Sequence, residues 1–287
     1  MKLDKSSRIL IVGLGVMGGS YAEALTKRGY TVRCITKNQE DIDYAIKAGI
    51  ISYGTTETDE ELIKSSDIII FALYPTVFIE WIEKYQKYFS TGTFITDLSG
   101  VKGGVVGKVQ AILRPDVEFV STHPMAGRES SGVKFANSEV FKGANYIITP
   151  MENNSPEAIN LARELGYELG FARISTLSVT EHDKMIAFLS QLTHCIAVSL
   201  MNSNVSDGLE KYTGDSFRDL TRIAKINDKM WAELFILNKE LLLAEMDAFI
   251  EEFNTFRNML SNSDSDGMRE KMRRSTKRRT LFDKPKS

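Results

Sequence analysis

A Gly-x-Gly-x-x-Gly turn set between a strand and a helix restricts this chain more than any other short pattern in it. The apolar run Arg8-Ile9-Leu10-Ile11-Val12 passes straight into Gly13-Leu14-Gly15-Val16-Met17-Gly18, and a helical composition continues through Arg28. The first glycine permits the tight turn, the second lets the backbone approach a pyrophosphate, and the third lets helix and strand pack closely. The helix N-terminus then offers unpaired N–H groups and a partial positive charge to phosphates. The glycines alone would be a weak signal; the strand before and the helix after make them a dinucleotide fingerprint. Gly13, Leu14, Gly15, Val16, Met17 and Gly18 are therefore expected to hold a nicotinamide dinucleotide.

Strand-like and helical segments alternate beyond the fingerprint. Residues 31–35 read as a strand and 39–48 as its helix. Asp67-Ile68-Ile69-Ile70-Phe71-Ala72 is a continuous apolar run of the kind expected for a strand buried on both faces. Pro75 suits the first turn of a helix reaching about residue 88. Further strands are expected at 94–96, 118–121, 146–148 and 172–174, with helices at about 104–113 and, capped by Ser155, through 169. Such alternation implies a Rossmann-type doubly wound parallel sheet, an α/β fold.

After about residue 177 everything periodic is helical. The expected division is a dinucleotide-binding domain over 1–175 and a helical substrate-binding and dimerisation domain over 176–287. Residues 230–260 read as one long helix. Trp231, Leu234, Phe235, Leu241, Leu242, Phe249, Phe253, Phe256 and Leu260 recur mostly at three- and four-residue steps. That stripe is broader than a small helical domain needs for its own core, which points to a homodimer. The basic stretch 269–286 reads as a solvated or frayed end.

A net charge of −2 gives no sign of a nucleic-acid or membrane partner. No apolar run is expected to reach the ~20 residues that span a bilayer. The polar start, residues 1–6, leads directly into the first strand and leaves no room for a signal peptide. Cys34 and Cys195 lack metal or redox spacing and read as thiols in a reducing compartment. The expectation is a cytoplasmic protein.

The second strand commonly ends in an acidic residue that binds the ribose of NAD. Here it ends in Thr36-Lys37-Asn38. No carboxylate repels a 2′-phosphate, Thr36 and Asn38 can hydrogen-bond one, and Lys37 can pair with its charge. NADP is favoured on this reading, with NAD as the alternative.

Ligands of open α/β sheets bind at the C-terminal ends of the strands. Three segments fall there: Leu73-Tyr74-Pro75, residues 96–103 and residues 121–132. Leu73 and Asp97 are candidate cofactor contacts. His123 follows a strand and precedes Pro124, and its near-neutral pKa suits it to take a proton from a substrate hydroxyl. Arg218 and Arg222, four apart, share a face if helical and suit a dicarboxylate. No metal site is expected. His182 and His194, twelve apart, would stand roughly 120° apart on one straight helix.

Four motifs occur in order: Gly-Leu-Gly-Val-Met-Gly-Gly-Ser from Gly13, Thr-Asp-Leu-Ser-Gly-Val-Lys-Gly from Thr96, His-Pro-Met-Ala-Gly-Arg-Glu-Ser-Ser-Gly from His123, and Phe-Arg-Asp-Leu-Thr-Arg-Ile-Ala from Phe217. Together they resemble the prephenate/arogenate dehydrogenase family of tyrosine biosynthesis, from Arg8 to about Leu260. The resemblance implies oxidative decarboxylation of a hydroxylated cyclohexadiene, with hydride transferred to the nicotinamide and the ring becoming aromatic. It implies that His123 accepts the hydroxyl proton and Arg222 binds a substrate carboxylate. It places His194 in the pocket wall, Glu129 near the entrance, and Arg218 and Trp231 close to the cleft. It also implies dimers built through the helical domains.

The chain departs from the family pattern at two positions. Many members carry serine where Gly100 stands, and its hydroxyl orients the substrate hydroxyl and the histidine. Ser99 is the neighbouring hydroxyl and the second catalytic candidate, although adjacent residues of an extended segment point opposite ways. Gln191 replaces the first histidine of a His-x-x-His pair; it keeps a donor and an acceptor but cannot titrate. Two other readings remain open: a β-hydroxyacid dehydrogenase or imine reductase relying on Lys225, and a nucleotide sensor without catalysis.

Overall fold

The computed structural model describes residues 3–127 and 130–283. The chain forms two compact units, Met1–Lys239 and Glu240–Ser287.

The first unit opens with β1 (Arg8–Val12), α1 (Val16–Lys27), β2 (Thr31–Ile35) and α2 (Gln39–Lys47). Next come β3 (Tyr53–Thr55), α3 (Glu60–Lys64), β4 (Ile68–Phe71), α4 (Pro75–Tyr85), β5 (Phe94–Asp97), α5 (Val106–Ile112) and β6 (Glu118–Phe119). These strands form a six-stranded sheet in the order β3-β2-β1-β4-β5-β6, parallel throughout. That is the dinucleotide-binding order, with the switch point between β1 and β4. The expected strands and helices are present; β3 and α3, short and weakly patterned, were not expected.

Apolar residues on consecutive positions fill both faces of this sheet. Ile9, Ile11, Ile68 and Ile70 join Tyr21, Ala22 and Leu25 of α1 in one core. Leu10, Val12, Ile69 and Phe71 join Phe78, Trp81 and Ile82 of α4 and Val109 of α5 in the other. Side chains alternate across a strand, so an unbroken apolar run is the pattern that two helical layers demand.

The strand expected at 118–121 divides. β6 stays beside β5, whereas β7 (Ser121–Met125) pairs antiparallel with β8 (Asn145–Thr149). After α6 (Pro156–Leu169), β9 (Arg173–Thr176) lies parallel to β8, completing a separate three-stranded sheet. His123 thus lies inside a strand, opposite Ile147, and does not follow one. The strands expected at 146–148 and 172–174 exist but belong to this second sheet.

A continuous helical stretch follows: α7 (Val179–Ile186), a π-helical turn (Ala187–Leu192) and α8 (Thr193–Asn202). Contrary to expectation, Val179–Asn202 is long and apolar enough by length and composition to cross a membrane. Its polar residues His182, Asp183 and Gln191 are instead buried within the protein, while Phe188, Leu189 and Met201 are exposed. Next are α9 (Asp215–Thr221) and α10 (Asp228–Leu237). The single long helix expected over 230–260 is broken at Asn238, whose side-chain amide donates to the carbonyl of Asp183 and to Gln191 Oε1.

α11 (Lys239–Ser261) leads into the second unit, which ends with α12 (Ser265–Arg279). The basic stretch expected to fray is therefore largely helical. Asp264 accepts from the Gly267 N–H at its start, and Lys271 and Arg274 pair with Glu252 of α11. The cations of its last turn, Lys277, Arg278 and Arg279, also suit the negative end of the helix.

Candidate active site

The glycine turn is built for a phosphate. Gly13 has φ +98°, and a side chain there would drive into the carbonyl of Ala72. Gly18 lies directly against the Gly13 carbonyl, so only hydrogen fits between α1 and β1. Gly15, the N-cap of α1, faces open space and has no side chain satisfying the helix N–H groups. No acidic residue occupies the first turn of α1, which suits a diphosphate. At the end of β2, the Leu14 N–H donates to Thr36 Oγ1 at 3.3 Å, and Asn38 caps α2 by accepting from the Glu40 N–H. Lys37 is exposed. The glycine turn and the free start of α1 fit a dinucleotide.

The loop after β5 carries a buried polar cluster. The carboxylate of Asp97 receives the Ser99 N–H at 3.0 Å and the hydroxyls of Ser99 and Ser121. Lys102, fully buried, donates to the Thr122 carbonyl at 2.7 Å and lies 3.3 Å from Asp97. Burial lowers the Lys102 pKa against the pull of Asp97. Ser99 Oγ also lies 3.1 Å from the Val101 carbonyl. Ser99 therefore turns its hydroxyl to Asp97, and the hydrogen bonds described for it do not include His123. Asp97, expected at the cofactor, is committed to this same cluster.

His123 stands on β7 at the junction of the two sheets. Its Nδ1 is 2.8 Å from Nε2 of His182, and Nδ1 of His182 is 2.7 Å from Oδ1 of Asp183. Asp183 in turn accepts the backbone N–H of Lys102 at 2.9 Å and of Gly103 at 2.6 Å. The chain of side chains exists because Ser178 and Glu181 form a capping box that starts α7 directly before His182. On the other side of the ring, a Cβ added to Gly100 would lie 3.8 Å from Nε2 of His123 and 3.7 Å from Leu234. Burial, with His182 and Lys102 beside it, holds the His123 pKa well below the usual histidine range.

On the helical side, His194 stacks on Trp231 with ring centroids 3.8 Å apart, and its Nδ1 is 2.8 Å from the Ser190 carbonyl. Gln191 is buried behind them. It donates to the Leu234 carbonyl at 2.8 Å and accepts from Asn238, so it fastens α10 to the π turn. Arg218 pairs with Asp215 at 3.0 Å. α9 ends at Thr221, and Arg222 opens a 3-10 turn, exposed, so the two arginines do not share one regular helix. Lys225 is exposed beyond that turn. Leu73 lies partly buried between β4 and α4. Glu129 falls outside the described residues.

Lys102, His182 and Asp183 carry the interior of this site, and the sequence reading gave them no role. The available signal was the capping box, which fixes where α7 begins and which of its residues turn inward.

A model of the prephenate dehydrogenase nucleotide-binding domain matches residues 21–175, and one of the prephenate dehydrogenase dimerization domain matches residues 178–274. The chain belongs to the prephenate dehydrogenase family. Among family members, the prephenate dehydrogenase of Bacillus subtilis (strain 168) is 28% identical over 269 residues, covering 91% of this chain and 72% of that protein. The cyclohexadienyl dehydrogenase of Zymomonas mobilis is 28% identical over 284 residues, covering 94% of each. The crystal structure of a family member, A. aeolicus prephenate dehydrogenase with hydroxyphenyl propionate and NAD+, superposes with a TM-score of 0.90 at 29% identity. It covers 98% of this chain and 100% of that one.

Proposed function

We propose that this chain is an NAD(P)-dependent dehydrogenase that converts prephenate to 4-hydroxyphenylpyruvate in tyrosine biosynthesis. The observation that carries the reading is His123 at the sheet junction, with Nε2 turned to the space over Gly100. A nicotinamide dinucleotide held at the glycine turn would supply the two-electron acceptor. His123 Nε2 takes the proton of the ring hydroxyl, Arg222 holds a substrate carboxylate, and His194 on Trp231 forms the pocket wall. Loss of the ring carboxylate as carbon dioxide and aromatisation make the reaction effectively irreversible. The cyclohexadienyl and prephenate dehydrogenases among the relatives support this substrate class.

Arogenate, with an amino group in place of the side-chain keto group, is the second substrate reading. NADP is the preferred cofactor on the strength of Lys37, and NAD is accepted, as the nucleotide named for the A. aeolicus enzyme suggests. A division into a dinucleotide part, 1–175, and a helical part, 176–287, is supported by the reach of the two family models, 21–175 and 178–274, although by compactness residues 1–239 form one unit. The working form is a homodimer that covers Phe188, Leu189 and Met201, and two free thiols suit the cytoplasm. Reduced-nicotinamide formation, measured with prephenate and arogenate against NAD and NADP, tests the reaction, substrate and cofactor together. Silence in all four combinations, with nucleotide binding intact, overturns the reading.

A further inference from the structure

His182 and Asp183 take no part in the chemistry above, yet both are buried and joined in line to His123. The order of donors in that line follows from chemistry. A carboxylate only accepts. Both Asp183 oxygens already receive main-chain N–H groups of the 102–103 loop, which fixes its position, and Oδ1 also takes the hydrogen on His182 Nδ1. Neutral His182 then has a bare Nε2. That nitrogen accepts, and across 2.8 Å the donor is the Nδ1–H of His123. With its one hydrogen committed there, His123 presents a bare Nε2 on the opposite edge, toward Gly100 and Leu234.

We propose that His182 and Asp183 are positioning residues that hold His123 in the Nδ1–H tautomer, with the lone pair of Nε2 facing the reaction space over Gly100. A base needs this tautomer; the other would present a hydrogen to the substrate hydroxyl and accept nothing. Gly100 brings no hydroxyl of its own to the reacting edge, so the ring is oriented from behind. The same line helps to hold charge when His123 becomes an imidazolium, and burial strengthens each hydrogen bond in it. The loop bearing Gly100 and the histidine that faces it thereby share one anchor, Asp183. This proposal rests on the dehydrogenase reading for its purpose, but its geometry does not.

The test is nitrogen NMR of the full chain labelled in its histidine rings, at neutral pH and without substrate, with His123→Asn to assign the His123 signals. The expected result is a protonated Nδ1 and a bare Nε2 on His123, with His182 in the same tautomer. A His123 ring protonated on Nε2, or a doubly protonated His182, overturns the proposal. If turnover fails with every substrate, the ring assignment still stands or falls alone. In a turning-over enzyme, Asp183→Asn lowers kcat about 10²-fold or more with KM little changed. His182→Gln, whose carbonyl still accepts from His123, keeps far more activity than His182→Leu. Equal loss in those two variants also overturns the proposal.

Discussion

Glu233 closes the N-terminus of α4: its Oε1 accepts from the Thr76 N–H at 2.6 Å and from the Thr76 hydroxyl at 2.5 Å. Beside it, Asn227 donates to the Tyr74 hydroxyl at 3.0 Å. Glu233 sits next to Leu234, the residue that walls the space over Gly100. A carboxylate on α10 thus satisfies the donors of a helix that starts at the cofactor edge of the sheet, at the end where a negative charge is favoured.

Removing that carboxylate tests the contact. Glu233→Ala should lower stability by about 1 kcal/mol in urea titrations, the usual worth of a helix cap, and Glu233→Gln by less. An unchanged midpoint for Glu233→Ala would mean that the Asn227–Tyr74 hydrogen bond suffices.

At Gly100 the surroundings admit a small side chain, since a Cβ meets Leu234 and His123 only at 3.7–3.9 Å. Gly100→Ser should fold with stability within about 0.5 kcal/mol of the parent and keep its turnover. Gly100→Leu should fill the reaction space and abolish turnover while nucleotide binding, followed by fluorescence, persists. Turnover in the leucine variant would move the reacting centre elsewhere.

Acid should inhibit this enzyme later than an ordinary histidine predicts. Burial, then the nearby His182 and Lys102, lowers the His123 pKa, and the proposed reaction uses the unprotonated ring. The acid limb of kcat/KM is therefore expected below the usual histidine value of about 6.5. Unfolded histidines bind protons near that value before His123 or His182 can, so stability is retained above it and declines as pH falls below it. A kinetic limb at or above the ordinary value would contradict the lowering of the His123 pKa.

Lys102→Met leaves the Asp97 carboxylate buried without its cation. A loss of about 3–5 kcal/mol is expected in thermal or denaturant unfolding, as for other broken buried pairs. A small change would show that the serine hydroxyls and the main-chain N–H groups of Ser99 and Thr122 satisfy Asp97 without a cation.

Cofactor choice turns on one exposed side chain. Lys37→Asp should reduce the NADP/NAD ratio of kcat/KM by about tenfold or more, since a charge-assisted contact is worth about 1.5–3 kcal/mol. An unchanged ratio would remove the case for a 2′-phosphate site at the end of β2.

Much of the nucleotide half was legible because local rules and tertiary demand agree there. Strands such as Ile68–Phe71 are apolar at every position, and that pattern has one explanation in a sheet covered on both sides. The second sheet was not legible: the run 118–125 contains no turn signal, and the chain changes partners after Val120, whose N–H still bonds to Ile95. His123 was found from its setting, whereas His182 and Lys102 were not. A buried polar residue announces itself only through its partners, and Asp97, Asp183 and Thr122 lie 5, 81 and 20 positions from Lys102 in sequence. Ser99 was a weaker candidate from the start, since neighbours along an extended segment face opposite ways, and its hydroxyl is turned to Asp97.

The π turn at Ala187–Leu192 alters the angular bookkeeping of everything beyond it. It absorbs one residue more than an α turn. Twelve positions then count as about eleven, and the roughly 120° between His182 and His194 on a straight helix shrinks to about 20°. One histidine meets His123 and the other stacks on Trp231, and the phase slip between them sets their relative direction on the helix. Excising a single residue there would restore a regular helix and keep that phase, whereas straightening the turn at unchanged length would swing His194 by about 100° with no functional side chain changed.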